Sequence, residues 1–153
     1  MLRTLAEYHQ RIEAMMAEGD ALLAARDPGS SARAKQKCAD AALLIGAYQL
    51  HVHRELFQPM LASGDPVQRA RAADLKTECI ALTEDLRFRV RDLMASEERE
   101  LDWDALAQAV AWFNGRVRDH VAHVERAMAP TMTAGERAAF RHERRDAVGP
   151  RAA

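Results

Sequence analysis

The chain has 153 residues, the size of one domain, and 48% of them are hydrophobic and 29% charged. Seven Gly, five Pro and a 5% aromatic share complete a composition that favours helices over sheets, so the predicted fold class is all-α. The formal net charge of −1 excludes the strong field that attracts nucleic acid or an anionic membrane, and neither partner is expected.

Neither a signal peptide nor a disulfide framework is predicted. The first residues lack the apolar core of a signal peptide, and no apolar run approaches the length that spans a bilayer. Cys38 and Cys79 are too few for a disulfide framework and do not form a CxxC pair. We therefore expect a cytoplasmic protein with reduced thiols.

The first predicted helix covers residues 2 to 26, where apolar residues recur at the three-and-four spacing of an amphipathic helix. These residues are Leu2, Leu5, Ile12, Met16 and Leu23. His9 falls on the same stripe, so it should face the core. Pro28 and Gly29 then break the helix, and a serine caps the next one.

The second predicted helix covers residues 31 to 61 and carries an imidazole and a carboxylate four residues apart, His51 and Glu55. Residues at this spacing share one helical face. That face continues towards the N-terminus through Tyr48, Leu44 and Ala41, and Leu43 and Ala47 are also predicted on or near the buried side. We expect His51 and Glu55 to point into the core, whereas His53 should lie on the surface. Pro59 should end or kink the last turns.

The third predicted helix begins at Pro66, with Asp65 as its N-cap. Its inward stripe contains no histidine and reads Leu75, Cys79, Leu82, Leu86, Val90 and Leu93. The fourth helix, capped by Asp102, does place a histidine on its apolar face. Its stripe reads Trp103, Leu106, Val110, Phe113, Val117 and His120.

Pro130 ends the fourth helix, and a short terminal helix follows. Thr133 and Glu136 have the spacing of a capping box that starts it. The predicted domain covers residues 1 to 148, and residues 149 to 153 should form a frayed tail.

Four long helices with short connections predict an up-down-up-down antiparallel bundle with a short C-terminal helix. His9 lies about a third of the way along the first helix, and His51 and His120 lie about two thirds along the second and fourth. Antiparallel packing therefore brings three imidazoles to a similar height in the bundle.

Neutral imidazole and carboxylate together suit iron, manganese or zinc, and helical bundles build metal centres from side chains on facing helices. The alternative for each histidine is an ordinary core residue that hydrogen-bonds to a neighbour. Three histidines at one height, with Glu55 beside His51, favour a site that binds metal or descends from one.

These residues resemble the hemerythrin-like, or HHE, domain family over most of the chain. His9 matches the family's first-helix histidine, and the segment from His51 to Glu55 looks like its second-helix HxxxE motif. His120, with Pro130 ten residues later, looks like the fourth-helix motif. The resemblance implies a four-helix bundle around a di-iron centre.

Two positions depart from the family pattern. Many members carry an acid four residues after the fourth-helix histidine, where this chain has Val124. Glu125 instead stands at the five-residue spacing of the oxygen-binding hemerythrins, which makes it a candidate ligand. The third helix turns apolar residues and Cys79 inward where the family supplies donors. The sequence does not decide whether the third helix supplies Asp74, Glu78 or Cys79 as a ligand, or supplies none.

The resemblance implies a non-haem iron protein that binds one or two iron ions and dioxygen or another small diatomic, in sensing, carriage or storage. The implied metal ligands are His9, His51, Glu55, His120 and Glu125. Apolar walls that protect a bound oxygen species would come from Leu44, Leu75 and Phe113.

The alternative is a degenerate, metal-free bundle that acts as a protein interaction or signalling module. The missing third-helix ligands favour it. A ferritin-like oxidase is set aside because no Glu-x-x-His pair occurs in the sequence. No catalytic residue is predicted.

Overall fold

The structure is a computed structural model that describes residues 2 to 97 and 101 to 147, and the regular elements in these ranges are helices. The α-helices are α1 (Leu2–Ala25), α2 (Ser31–Val52), α3 (Gln58–Leu61), α4 (Pro66–Ala95), α5 (Trp103–Met128) and α6 (Ala134–Ala147). A π-helical turn, His53–Phe57, joins α2 to α3. The predicted all-α class is confirmed for these ranges, whereas the predicted tail, residues 149 to 153, lies outside them.

The predicted starts of α4, α5 and α6 are confirmed by the side chains that cap them. Asp65 accepts a hydrogen bond from the backbone N–H two residues on, and Asp102 accepts one from the N–H three residues on. At the start of α6, the Thr133 hydroxyl accepts from the Glu136 N–H, and the Glu136 carboxylate accepts from the Thr133 N–H. Such caps contribute about 1 kcal/mol each, so these residues determine where α4, α5 and α6 begin. The serine predicted to cap the second helix does not do so: Ser30 stands at the N-cap of α2 without a side-chain capping bond, and its hydroxyl donates to the Asp27 carbonyl.

The π-helical turn interrupts the second predicted helix, and Pro59 explains its position. Proline has no N–H, and in a regular α-helix its ring clashes with the carbonyl four residues earlier. Here the turn widens, and the Gln58 N–H donates to the His53 carbonyl, five residues back. The chain therefore passes Pro59 with one extra residue in the turn and continues as a helix to Leu61.

The four long helical segments pack around a shared core. α1 packs against α2 and α5, α4 packs against the same two helices, and α6 lies against α1. The inward stripes predicted for the third and fourth helices are confirmed at their centres, where these residues are buried: Leu75, Cys79, Leu82, Leu86, Phe113, Val117 and His120. The apolar side chains between the helices form one cluster.

The register of α2 differs from the prediction. Its buried apolar residues include Ile45, Tyr48 and Val52, whereas Leu43 and Ala47, predicted on or near the buried side, are exposed. The spacing from Ile45 to Val52 gives a face that buries more apolar surface than one ending in an imidazole and a carboxylate. Tyr48 is therefore at the centre of the inward face.

We expect Phe57→Ala to lower the free energy of unfolding by about 3–5 kcal/mol, because it removes a fully buried ring and leaves a cavity. Phe88, which is 57% exposed on α4, provides the matched control. Phe88→Ala should change stability by less than about 1 kcal/mol. Urea unfolding followed by circular dichroism measures both, and equal losses would contradict the placement of Phe57 in the core.

Candidate functional site

Two histidines and a tyrosine from three helices meet inside the protein. His9 on α1, Tyr48 on α2 and His120 on α5 are at most 2% exposed. The centroid of the Tyr48 ring lies 5.7 Å from that of His9 and 6.0 Å from that of His120. The prediction that His9 and His120 face the core is confirmed. We call these three residues, with the adjacent carboxylates of Glu78 and Glu125, the buried polar cluster.

Glu125 of α5 holds His9 in one orientation. The His9 Nδ1 lies 3.0 Å from Glu125 Oε1, across two facing helices. Because a carboxylate accepts, the proton belongs on Nδ1 and the lone pair of a neutral ring is then on Nε2. Carboxylate–histidine pairs of this kind orient metal-binding imidazoles in many proteins.

His120 faces a second carboxylate, that of Glu78 on α4. Its Nδ1 lies 3.5 Å from Glu78 Oε2, which is too long for a good hydrogen bond. Glu78 makes its shorter contacts, 3.1 and 3.2 Å, with the Nδ1 of His123, whose side chain is 46% exposed. Glu78 therefore stands between one buried and one surface imidazole of α5.

Four buried atoms of this cluster have no hydrogen-bond partner among the described residues: His9 Nε2, Tyr48 Oη, His120 Nδ1 and His120 Nε2. Leaving one such atom unpaired costs about 1–3 kcal/mol, and native proteins leave few of them so. Their concentration on three neighbouring side chains indicates that water, a cation or another small polar ligand belongs between them.

Burial also controls the protonation of His120 and Tyr48. It lowers the pKa of His120, and the negative charge of Glu78 opposes part of that effect. It raises the pKa of Tyr48 well above its ordinary value, and Cys79, Glu125 and Glu78 add to the rise. A neutral imidazole offers a lone pair and a neutral phenol donates a hydrogen bond, so the cluster offers both to a ligand.

The predicted HxxxE pair, His51 and Glu55, lies at the edge of the buried face and not in the core. His51 is half-buried, with its ring centroid 5.2 Å from that of Tyr8. The Glu55 side chain is 40% exposed, and its Oε1 lies 3.1 Å from the Nε of Arg54. The expectation that both point inward is wrong, because the buried face of α2 continues from Tyr48 to Val52 and not to His51, and Glu55 falls in the π-helical turn.

His53 also departs from the prediction, which placed it on the surface. It is half-buried, and its ring centroid lies 5.3 Å from that of Phe57. Its Nε2 is buried and has no hydrogen-bond partner in the described part of the chain. Burial lowers its pKa, so the ring is held neutral on this side of the helix.

On α4, the three candidate ligands differ in burial. Asp74 is exposed, Glu78 is half-buried and Cys79 is 2% exposed. Burial, with a contribution from Glu78, raises the pKa of Cys79 to about 12, so its thiol stays protonated and is a poor ligand. Glu78 is the candidate whose carboxylate approaches a cluster imidazole.

Of the five predicted ligands, His9, His120 and Glu125 lie in the buried polar cluster, whereas His51 contacts Tyr8 and Glu55 lies in the π-helical turn, outside the cluster. Within residues 2–97 and 101–147, no group of three or more His, Cys, Asp or Glu side chains is gathered closely enough to hold a metal ion. A complete di-iron ligand shell is therefore not preformed in this part of the chain.

Tyr48 and Glu78 are the cluster residues whose role the sequence did not reveal. The apolar stripe of the second helix places Tyr48 on the inward face but assigns no task to its hydroxyl. The hydroxyl itself could have identified Tyr48 as a site residue, because a buried phenol needs a hydrogen-bond partner. The sequence leaves Glu78 as one of several candidate ligands on the third helix, because a residue at the edge of an apolar stripe can face either the core or the solvent.

Comparisons of the chain with family models, with curated proteins and with solved structures find no match. The hemerythrin-like resemblance therefore rests on the motifs alone. None of the described helices combines the length and the apolar character that a bilayer crossing requires.

We expect the metal-free protein to lose stability as the pH falls below about 6.5, the ordinary pKa of histidine. The pKa of His120 is lower in the folded protein than in the unfolded chain, so the unfolded chain takes up the proton first. The contribution of neutral His120 to stability is fully present above the pKa that this residue has in the unfolded chain. It is lost as the pH falls through the lower pKa of the folded protein. Urea unfolding over this pH range, with a chelator present, measures the loss.

His120→Gln should reduce this pH dependence, because the side chain that resists protonation is gone. His142→Gln is the control, since His142 is exposed and lies outside the cluster. A His120→Gln variant with the wild-type pH dependence would show that other groups cause it.

We expect Cys79 to resist thiol reagents in the native protein, because it is buried and its pKa is raised to about 12. Cys38 is half-buried and provides the comparison within the same chain; burial raises its pKa as well. Labelling with a neutral thiol reagent, read by peptide mass spectrometry, should modify Cys38 at least about ten times faster. Similar rates would mean that α4 opens readily or that Cys79 ionises.

Proposed function

We propose that this protein is a hemerythrin-like bundle that binds one cation, iron by its family resemblance, between His9 and His120. The observation that carries the proposal is the pair of buried imidazoles whose Nε2 atoms have no partner among the described residues. Each ring stands beside a carboxylate, Glu125 for His9 and Glu78 for His120. Imidazole nitrogen and carboxylate oxygen are ligand types that iron accepts.

The chain's own residues have separate roles in this proposal. His9 and His120 would hold the cation, and Glu125 fixes the His9 ring from the side away from it. Iron bound there would supply redox chemistry and an open position for dioxygen or another small diatomic. The Tyr48 hydroxyl, kept protonated by burial, would donate a hydrogen bond to a small ligand in the same space. Leu75, buried one turn from Glu78, would help to exclude water.

The helix contacts support the finer architecture that we propose, an up-down-up-down antiparallel bundle. α1 and α4 each pack against α2 and α5, and the described connections between successive helices are short. In such a bundle the N-terminal half of α1 lies level with the C-terminal halves of α2 and α5. The ring contacts of Tyr48 with His9 and His120 fit that arrangement.

A second candidate function is a metal-free bundle that works as a protein interaction or signalling module. The positions of His51 and Glu55 favour it, as does the finding that no group of three metal donors is gathered among the described residues. In this candidate, buried water would satisfy the unpartnered atoms of the cluster. Metal content distinguishes the two functions.

We expect protein purified from iron-supplemented cells to contain about one iron per chain, and His9→Ala and His120→Ala each to lose most of it. His51→Ala is the matched control, because the half-buried His51 lies on the shoulder of α2 and should leave the iron content unchanged. Elemental analysis measures the iron, and circular dichroism establishes that each variant is folded.

Two results would contradict this proposal. Iron that is retained by both folded variants, His9→Ala and His120→Ala, would place the metal elsewhere in the protein. A wild-type protein that contains no metal after growth in any metal-supplemented medium would favour the metal-free module.

A further inference from the structure

A cavity of about 480 Å³ lies in the half of the molecule that does not contain the buried polar cluster. Its walls come from the C-terminal halves of α1 and α4 and the N-terminal halves of α2 and α5. The cluster residues His9, Tyr48, Glu78 and His120 lie in the opposite halves of the same helices. The cavity is therefore separate from the proposed metal site.

The cavity lining is mostly apolar. Aliphatic, thioether and aromatic side chains from all four helices contribute, among them Met15, Met16, Leu23, Leu93, Val110 and Phe113. Thioether chains adapt to irregular shapes, which suits a ligand-binding wall. Phe88 also lines the cavity and is 57% exposed, so the cavity reaches the protein surface and a ligand can enter from there.

The charged side chains at the cavity already have partners on the protein. The ion pairs are Lys37 with Glu18, Arg89 with Asp85, and Asp92 with Arg91. The lining also includes the amide of Asn114, which donates to Asp20 at 3.2 Å. An ionic ligand would have to displace one of these partners and bury its own charge beside apolar walls. The charges at the cavity therefore select against an ionic ligand.

We propose that this cavity binds a neutral, predominantly apolar small molecule, and that this binding is independent of the proposed metal site. Its volume is about three times the roughly 150 Å³ of a cavity that holds one benzene, so two or three fused rings, or a hydrocarbon of similar size, would fit. The driving force is the removal of apolar lining and apolar ligand surface from water.

Two fluorescent probes that share one ring system test the proposal: N-phenyl-1-naphthylamine and its 8-sulfonate. They differ by one sulfonate group, which carries a single negative charge. The neutral probe should bind the folded chain one-to-one with a rise in fluorescence. The sulfonate should bind at least about tenfold more weakly, because Lys37 and Arg89 are already paired.

Gly19 of α1 is the best position at which to block the cavity. It lines the cavity, and a Cβ added there meets nothing within 4 Å. Gly19→Leu should fill the space and weaken binding of the neutral probe at least about tenfold. Thermal stability should be kept or raised, because leucine favours a helix more than glycine does. Ala109→Leu, from the facing α5, is a second blocking variant.

Gly115 of α5 provides the matched control. A Cβ added at this position also meets nothing within 4 Å, but Gly115 is not among the residues that line the cavity. Gly115→Leu should therefore leave probe binding unchanged. Folded His9→Ala and His120→Ala variants should also bind the neutral probe normally, whether or not the wild-type protein contains iron.

Several results would overturn the proposal. Equal affinity for the two probes would remove the selection for a neutral ligand, and full binding to both Gly19→Leu and Ala109→Leu would place the probe elsewhere. A dimer in sedimentation analysis that Gly19→Leu dissociates would make a second copy of the chain the occupant. Loss of probe binding in the folded histidine variants would show that the two sites are not independent.

Discussion

A buried imidazole has two ring nitrogens, and each needs a partner because an unpaired polar atom is costly in the protein interior. In this chain Glu125 satisfies one nitrogen of His9, and the remaining polar atoms of His9, Tyr48 and His120 lie on neighbouring rings. This requirement ties the registers of α1, α2 and α5 together. Rotating any one of them would turn its polar atom towards apolar side chains, so the same residues specify the packing and form the candidate site.

The two ends of the helical core differ because their side chains differ in size and polarity. The end with the buried polar cluster contains the rings of the cluster and Phe57, which is fully buried. The other end is lined in part by small residues, namely Gly19, Ala34, Ala41 and Ala109. Small side chains leave space that larger ones would occupy, and part of the cavity lies beside these four residues.

Local signals were sufficient to predict where the helices lie and that two histidines face the core. Capping residues such as Asp65 act within one turn, and His9 and His120 stand in long stripes of apolar residues. The register of α2 could not be predicted in this way, because two overlapping stripes share Tyr48. Which stripe is buried depends on the surfaces of α1 and α4. The π-helical turn then breaks the 3.6-residue period just where Glu55 was expected to face inward.

Leaving the polar atoms of the cluster unpaired would cost a large part of the stability of the fold. Four unpartnered atoms at about 1–3 kcal/mol each would cost about 4–12 kcal/mol, which is comparable to the total stability of an ordinary domain, about 5–15 kcal/mol. The folded chain must therefore satisfy most of them, with water or with a bound ligand. The apolar core packs the helices together whichever of the two is present. A cation at His9 and His120 would then replace water between imidazoles that are already in position, so its binding is not required for the helices to form.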